Sequence, residues 1–283
     1  MTVIVGTSGW QYRSWAGHFY PQGLPQKRWL SFYSSNFDCV EVNNTFYHLP
    51  ARHVFESWAQ QARPGFHYAL KFSRYLTHLK RLRDPAEPVQ RFLERARALG
   101  PSLGPVLLQL PPRFPVDVRR LEESLACFPE GMRIAVEFRD RSWFTESVRS
   151  LLSARQVALC LADRCGRPQG PLWATADWGF IRLHEGTAAP RPCYGDRALD
   201  RWAERISDLW DAGRDVYVFF NNDGRSCAPR DATRFASFVA SRGGLPTRVP
   251  DRRPLTDDGR GDDRPRPDPS RHPSPRRAPR QTS

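Results

Sequence analysis

In Ile134-Ala135-Val136-Glu137-Phe138-Arg139 a short apolar run, too short for a helix, gives way to alternating charged and apolar residues. Near-continuous hydrophobicity over so few residues suits a strand buried on both faces, as in a parallel sheet. The pattern recurs on either side: Val3–Gly6, Cys39–Asn43, His67–Phe72 and Val106–Leu110 precede it, and Ala158–Ala162, Phe180–Leu183 and Val216–Phe220 come after it. Between these runs the spacing turns helical. Phe55, Trp58, Ala59 and Ala62 fall at i, i+3, i+4 and i+7, as do Val89, Phe92, Leu93, Ala96 and Ala232, Phe235, Ala236, Val239. Further stripes run through Val118, Leu121, Leu125, Phe128 and through Leu199, Trp202, Ile206, Leu209. Eight strands alternating with helices over residues 1–243 predict an α/β fold, a single (β/α)8 TIM barrel. A doubly wound open sheet fits less well, because Gly6-Thr7-Ser8-Gly9 lacks the third glycine and the spacing of a phosphate loop. The stretch from Asp163 to Gly179 is rich in Gly and Pro and has no helical stripe, so the sixth crossover is expected to be degenerate.

The last part of the chain reads differently. From Leu245 on there are no aromatic residues and no apolar period, so residues 244–283 are expected to form a disordered Arg/Pro-rich tail. Its ten arginines against six aspartates supply +4 of the formal +13, leaving +9 on the barrel. The barrel's excess is nearly all arginine, with Lys27, Lys71 and Lys80 as the lysines, which fits a compositional bias as well as an anion-binding surface. The six cysteines (39, 127, 160, 165, 193 and 227) form no CxxC pair, and Cys39 and Cys160 lie inside apolar runs, which suits reduced thiols. Met1–Gly6 has no basic and apolar leader pattern, and no 18-residue apolar stretch occurs, so a soluble cytoplasmic protein without membrane contact is expected.

The functional signal lies in the residues just past each apolar run. The second strand ends in Glu41 and Asn43, the third at Lys71, the fourth at Gln109, the fifth in Glu137 and Arg139, and the sixth at Asp163. The seventh ends in Arg182 and His184, and the eighth runs into Asn221, Asn222 and Asp223. Residues two apart share a face of a strand. Burying such groups unpaired costs about 2–7 kcal/mol each and more for a charge, so they must meet one another, water or a ligand. In a barrel all C-terminal strand ends open into one bowl, where barrel enzymes keep their chemistry. Glu41, Glu137 and Asp163 offer carboxylates, and Lys71 and His184 join them as candidate catalytic groups. Asn43, Gln109, Arg139, Arg182, Asn222 and Trp10 are the candidate substrate-binding residues, the arginines suiting phosphate or carboxylate. A single Mg²⁺ or Mn²⁺ would draw on Glu41, Glu137, Asp163 and Asp223; His184 is the one strand-end imidazole, which speaks against a multinuclear zinc site. His48 and His78 lie in loops just past strands two and three. Tyr12, Trp15, Phe46, Tyr47, Trp143 and Phe144 crowd the loops on the same side, either stacking on a ligand or packing the barrel mouth.

The chain resembles the YecE-like family, domain of unknown function 72. Carrying the resemblance are Gly6-Thr7-Ser8-Gly9-Trp10, Glu41-Val42-Asn43-Asn44-Thr45-Phe46-Tyr47, Lys71 with Thr77-His78, and Gln109-Leu110-Pro111-Pro112. Glu137-Phe138-Arg139 with Ser142-Trp143, Arg182-Leu183-His184, and Phe220-Asn221-Asn222-Asp223 with Ala228 complete it. Asp140 and Glu185 depart from the family pattern. The resemblance implies a TIM barrel with its site at these strand ends, and it implies no reaction. Three functions remain open on the sequence. They are a metal-assisted hydrolase of a phosphorylated substrate or nucleic acid, a sugar-acting enzyme using Glu41 and Glu137, and a non-catalytic nucleic-acid-binding protein.

Overall fold

Eight parallel strands close on themselves in a computed structural model that describes residues 1–251. They are β1 Thr2–Ser8, β2 Cys39–Val42, β3 His67–Lys71, β4 Leu103–Gln109, β5 Ile134–Glu137, β6 Ala158–Arg164, β7 Gly179–Leu183 and β8 Asp215–Phe220. Each pairs with the next, and β8 returns to β1 in register from Thr2↔Asp215 to Thr7↔Phe220, so the barrel strands leave no open sheet edge. Every expected apolar run lies in or across one of these strands. The longer helices of the described residues surround them: α1 Trp29–Asn36, α2 Arg52–Gln61, α3 Ala86–Ala96, α4 Val118–Ala126, α5 Glu146–Ala154, α6 Asp196–Leu209 and α7 Cys227–Ser241.

Two apolar regions explain why the strands read as continuous hydrophobic runs. Inward-pointing Ile4, Cys39, Leu107, Ala135, Cys160, Phe180 and Phe219 fill the barrel. Their neighbours of opposite parity, among them Val5, Val40, Leu108 and Val218, pack outward against Leu121, Leu199, Trp202 and Phe235 of the helices. At about 1.5–3 kcal/mol per fully buried large side chain, this double burial is the main stabilising term. Gly6 permits the closest approach of β1 to β2, since a Cβ there would stand 2.4 Å from the Cys39 carbonyl oxygen. Local signals set the helix starts: the Asp117 carboxylate accepts from the Arg120 amide at 3.1 Å, and the Thr145 hydroxyl from the Val148 amide at 3.4 Å.

The sixth crossover has no helix, as the sequence leads one to expect. β6 instead turns back through Cys165 and Gly166, both with positive φ, into the two-residue antiparallel strand Arg167–Pro168. The chain then returns through Thr175, whose hydroxyl accepts from the Leu159 amide and donates to the Val157 carbonyl, both at 2.7 Å. Two sequence expectations need correction. Cys193 and Cys227 form a disulfide, because the loop after β7 folds over the first turn of α7 and brings together thiols 34 residues apart. Leu245–Pro246, placed in the tail by composition, pair with β1, and the Thr247 amide donates to Val3 at 2.8 Å, so the ordered chain passes residue 244. The rest of the expected tail, from residue 252, lies outside the described residues.

Candidate functional site

The alternation of side chains along each strand decides which polar residues reach the bowl. On β7, Phe180 points inward, so Arg182 does too, and the guanidinium lands in the middle of the barrel mouth, 1% exposed. It donates to both carboxylate oxygens of Glu41 at 2.7 Å, through Nε and Nη2, and to Glu137 at 2.6 Å through Nη1. Glu137 receives two more donors, Gln109 Nε2 at 2.9 Å and Arg139 Nε at 3.0 Å. Burial alone would raise the Glu137 pKa, but Arg182, His184 and Arg139 hold it well below the ordinary carboxylate range. Breaking such a buried pair by removing one partner costs about 3–5 kcal/mol. Glu41 and Glu137 are therefore locked as ion-pair acceptors.

Lys71 and His184 share the bowl without being satisfied by it. Lys71 is 8% exposed as a whole residue; its ammonium sits 4.0 Å over the face of Phe46 and makes no ion pair with a described carboxylate. Phe46 is held there by the Asn43-to-Tyr47 turn, in which the Thr45 hydroxyl donates to the Lys71 carbonyl at 2.7 Å. Burial, followed by repulsion from Arg182, lowers the Lys71 pKa to about 8. His184 Nδ1 bonds to the Asn221 side-chain amide at 3.0 Å. If that amide is the donor, the neutral tautomer carries its proton on Nε2, which is buried, has no hydrogen-bond partner and lies 3.7 Å from Glu137. Burial and then Arg182 lower the His184 pKa, so the ring is neutral near pH 7. His78, edge-on to Phe46 at 4.8 Å, has its pKa lowered to about 4 by burial and then by Lys71.

Other expected site residues turn away. Asp163 has the parity opposite to Cys160 and Ala162 and points outward, where it accepts from Tyr194 Oη at 2.8 Å, Trp202 Nε1 at 3.0 Å and the Gly166 amide at 3.0 Å. Asn222 likewise leaves the bowl and donates to Asp231 of α7 at 2.8 Å. Trp10 packs edge-on against Trp58 of α2 at 5.4 Å, outside the strands. Asn43 stands one residue past β2, its carbonyl accepting from the Phe46 amide. Asp223, half-buried with a raised pKa, caps the first loop by accepting from Trp15 Nε1 through its carbonyl at 3.3 Å. The four carboxylates assigned to a divalent ion thus do not form one ligand set, and among the described residues no group of three His, Cys, Asp or Glu is placed to hold a metal. Asn221 faces the bowl and Asn222 does not, a distinction that strict alternation from inward-facing Phe219 makes visible.

The family model described as "Protein of unknown function DUF72" matches residues 4–254. UPF0759 protein YecE of Escherichia coli (strain K12) is 30% identical over 145 residues, a match that spans about half of each chain (51%). UPF0759 protein YunF of Bacillus subtilis (strain 168) is 24% identical over 253 residues, 78% of this chain and 89% of that one. Among solved structures, a DUF72 family protein from Thermotoga maritima superposes with a TM-score of 0.74 at 26% identity, covering 85% of this chain and all (100%) of the other. One from Enterococcus faecalis superposes with 0.69 at 18% identity, covering 84% and 95%, and shares the fold.

Proposed function

The chain belongs to the DUF72 family, proteins of unknown function, and on that premise we propose that the bowl is the active site of an enzyme acting on a phosphorylated substrate, a phosphoester hydrolase. The observation that carries this reading is the charge left over after pairing. Arg182 and Arg139 meet Glu137 and Glu41, which leaves the Lys71 ammonium buried with no carboxylate of its own. A buried, uncompensated cation is costly, and an anionic ligand relieves that cost.

The roles come from geometry. Arg139 keeps guanidinium donors free for phosphoryl oxygens, because only its Nε is engaged by Glu137. In the tautomer whose Nδ1 accepts from Asn221, His184 offers its Nε2–H as a further donor in the bowl to oxygens that gain charge. Lys71, with a pKa near 8, suits protonation of the leaving oxygen as the P–O bond breaks, while the water that adds to phosphorus passes its proton to a phosphoryl oxygen of the product and Lys71 regains one from solvent. A loose phosphoryl-transfer transition state asks little of a base, which accords with both carboxylates being tied up by Arg182. The same lock weighs against the sugar-acting alternative, since a glycosidase pair needs one protonated carboxyl and Glu137 is held ionised. The test combines a thermal shift with inorganic phosphate and turnover of p-nitrophenyl phosphate and its diester. Specific binding at a hundredfold excess over Kd stabilises by about 2.7 kcal/mol. Lys71→Ala and Arg139→Ala should lose both signals; variants that bind phosphate as wild type does would sink the proposal.

A further inference from the structure

Arginines on the helices are of two kinds, paired and unpaired, and those on the bowl's rim are of the unpaired kind. On the helices Arg52, Arg91, Arg120 and Arg234 each pair with a nearby carboxylate, whereas Arg197, Arg201 and Arg205 of α6 have none within ion-pair distance among the described residues. In the loop after β3, Arg74, Arg81 and Arg83 have no carboxylate within ion-pair distance among the described residues, and the acid of that loop, Asp84, is taken by Lys80 at 3.2 Å. The same rim holds three of the exposed large apolar side chains of the described chain: Tyr47 at 71%, Leu79 at 60% and Tyr75 at 46%. Arginines without an ion pair lie elsewhere on the described surface too, such as Arg13, Arg28 and Arg201; what distinguishes the rim is that three of them share it with exposed tyrosines at the mouth of the bowl.

The loop is also built to hold this display. Leu76, Thr77 and Leu82 are fully buried, and the Leu82 amide donates to the Leu76 carbonyl at 3.0 Å. Arg81, Leu82 and Asp84 all have positive φ, a costly conformation for residues with a Cβ that persists only where the surroundings enforce it. Aromatic contacts join the rim to the bowl. Tyr47 lies edge-on to Phe46 at 4.9 Å, and Phe46 carries the Lys71 ammonium on its face.

We propose that this rim is a docking surface for single-stranded nucleic acid, with Tyr47 and Tyr75 stacking on bases and Arg74, Arg81 and Arg83 on phosphates, so that a phosphodiester is led toward Lys71. The inference rests on the reading of the bowl as a phosphate site and names its substrate class. Stacking on exposed rings requires unpaired bases, which a duplex does not offer, and free guanidinium groups beside the rings supply the sequence-independent affinity for the backbone.

The test is fluorescence anisotropy of a fluorescein-labelled 12-mer of dT with the full-length protein at several salt concentrations. The same variants are scored in parallel for thermal shift by inorganic phosphate. Tyr47→Ala with Tyr75→Ala should weaken the oligonucleotide about 5- to 150-fold per lost stack, with little change in salt dependence. Arg74→Ala, Arg81→Ala and Arg83→Ala together should flatten the log–log salt slope by about 2, at ~0.7 per phosphate contact. Both sets should keep the phosphate shift, which also shows that they fold. The inference is overturned if both sets bind the 12-mer as wild type does, if a duplex of that length binds equally well, or if oligoglutamate of equal charge competes equally. Absence of a phosphate shift in wild type would instead overturn the reading of the bowl.

Discussion

Each end of the barrel is closed by an arginine, and the two are used differently. At the N-terminal end Arg133 donates to Asp215 at 2.8 Å and to the Tyr217 hydroxyl at 3.2 Å, with its guanidinium 5.7 Å from the Trp178 ring. Asp38 nearby is held by Arg63 and by the Arg248 amide. That end is a plug in which the charges are matched. At the C-terminal end Arg182 satisfies Glu41 and Glu137, yet among the described residues Lys71 has only the Phe46 ring and no carboxylate, and His184 Nε2 has no hydrogen-bond partner. Matched charges serve stability at either end; the unmatched remainder at one end is what the proposed site rests on.

The contrast between the ends breaks most violently at Arg182. Arg182→Met should cost about 3–5 kcal/mol or more, because it strands two carboxylates in the barrel mouth. Adding Glu41→Gln and Glu137→Gln should recover much of the loss, as measured by urea denaturation midpoints. A cost no larger than that of Arg133→Met would mean that the two ends are equivalent after all.

Lys71→Met tests the unmatched remainder, and its sign is opposite. The Lys71 pKa falls from 10.5 to about 8 in the fold. Below pH 8 the folded chain carries the whole penalty of a buried cation, worth about 3 kcal/mol at ~1.4 kcal/mol per pH unit. Between pH 8 and 10.5 the unfolded chain alone keeps the proton, so wild-type stability from this group rises with pH through that window. Lys71→Met should therefore be the more stable protein at pH 7, with the gap closing toward pH 10.5, while its phosphate shift disappears. In wild type, phosphate affinity should fall as pH rises through about 8. A Lys71→Met protein less stable than wild type at pH 7 would show that Lys71 is structural.

Much of this is legible in the sequence, and the misses have a common cause. Eight apolar runs predict eight strands to within a few residues at each end, since burial on both faces leaves no other residue choice. Glu41, Lys71, Gln109, Glu137, Arg139, Arg182 and His184 are readable because each continues an inward-facing series. Asp163 and Asn222 mislead because a polar residue at a strand end says nothing of its parity; each sits one residue off the inward series of Ala162 and Asn221. The Cys193–Cys227 pair is invisible because it depends on how one long loop folds over a helix. Asp163→Asn is the matching experiment. With Trp202 and Tyr194 donating to it, the substitution should destabilise by about 1–3 kcal/mol and leave phosphate binding unchanged. A selective loss of binding would restore Asp163 to the site.

The smallest effect is expected at the N-terminal plug. Arg133 and Asp215 are each more than a third exposed at their side chains (39% and 34%), so water screens their pairing and a partner removed there is replaced by solvent. Arg133→Met should cost no more than about 1 kcal/mol, part of it lost packing on Trp178, and phosphate binding should be untouched. The same change of residue type at the two ends thus differs severalfold in cost, for a reason that lies in burial and not in the ion pair itself. Raising the salt to 1 M, where the Debye length is about 3 Å, should shrink the Arg133 effect further and leave the Arg182 effect nearly intact. If both shrank alike, the bowl would be as open to water as the plug, and the unpaired Lys71 would carry no penalty for a ligand to relieve.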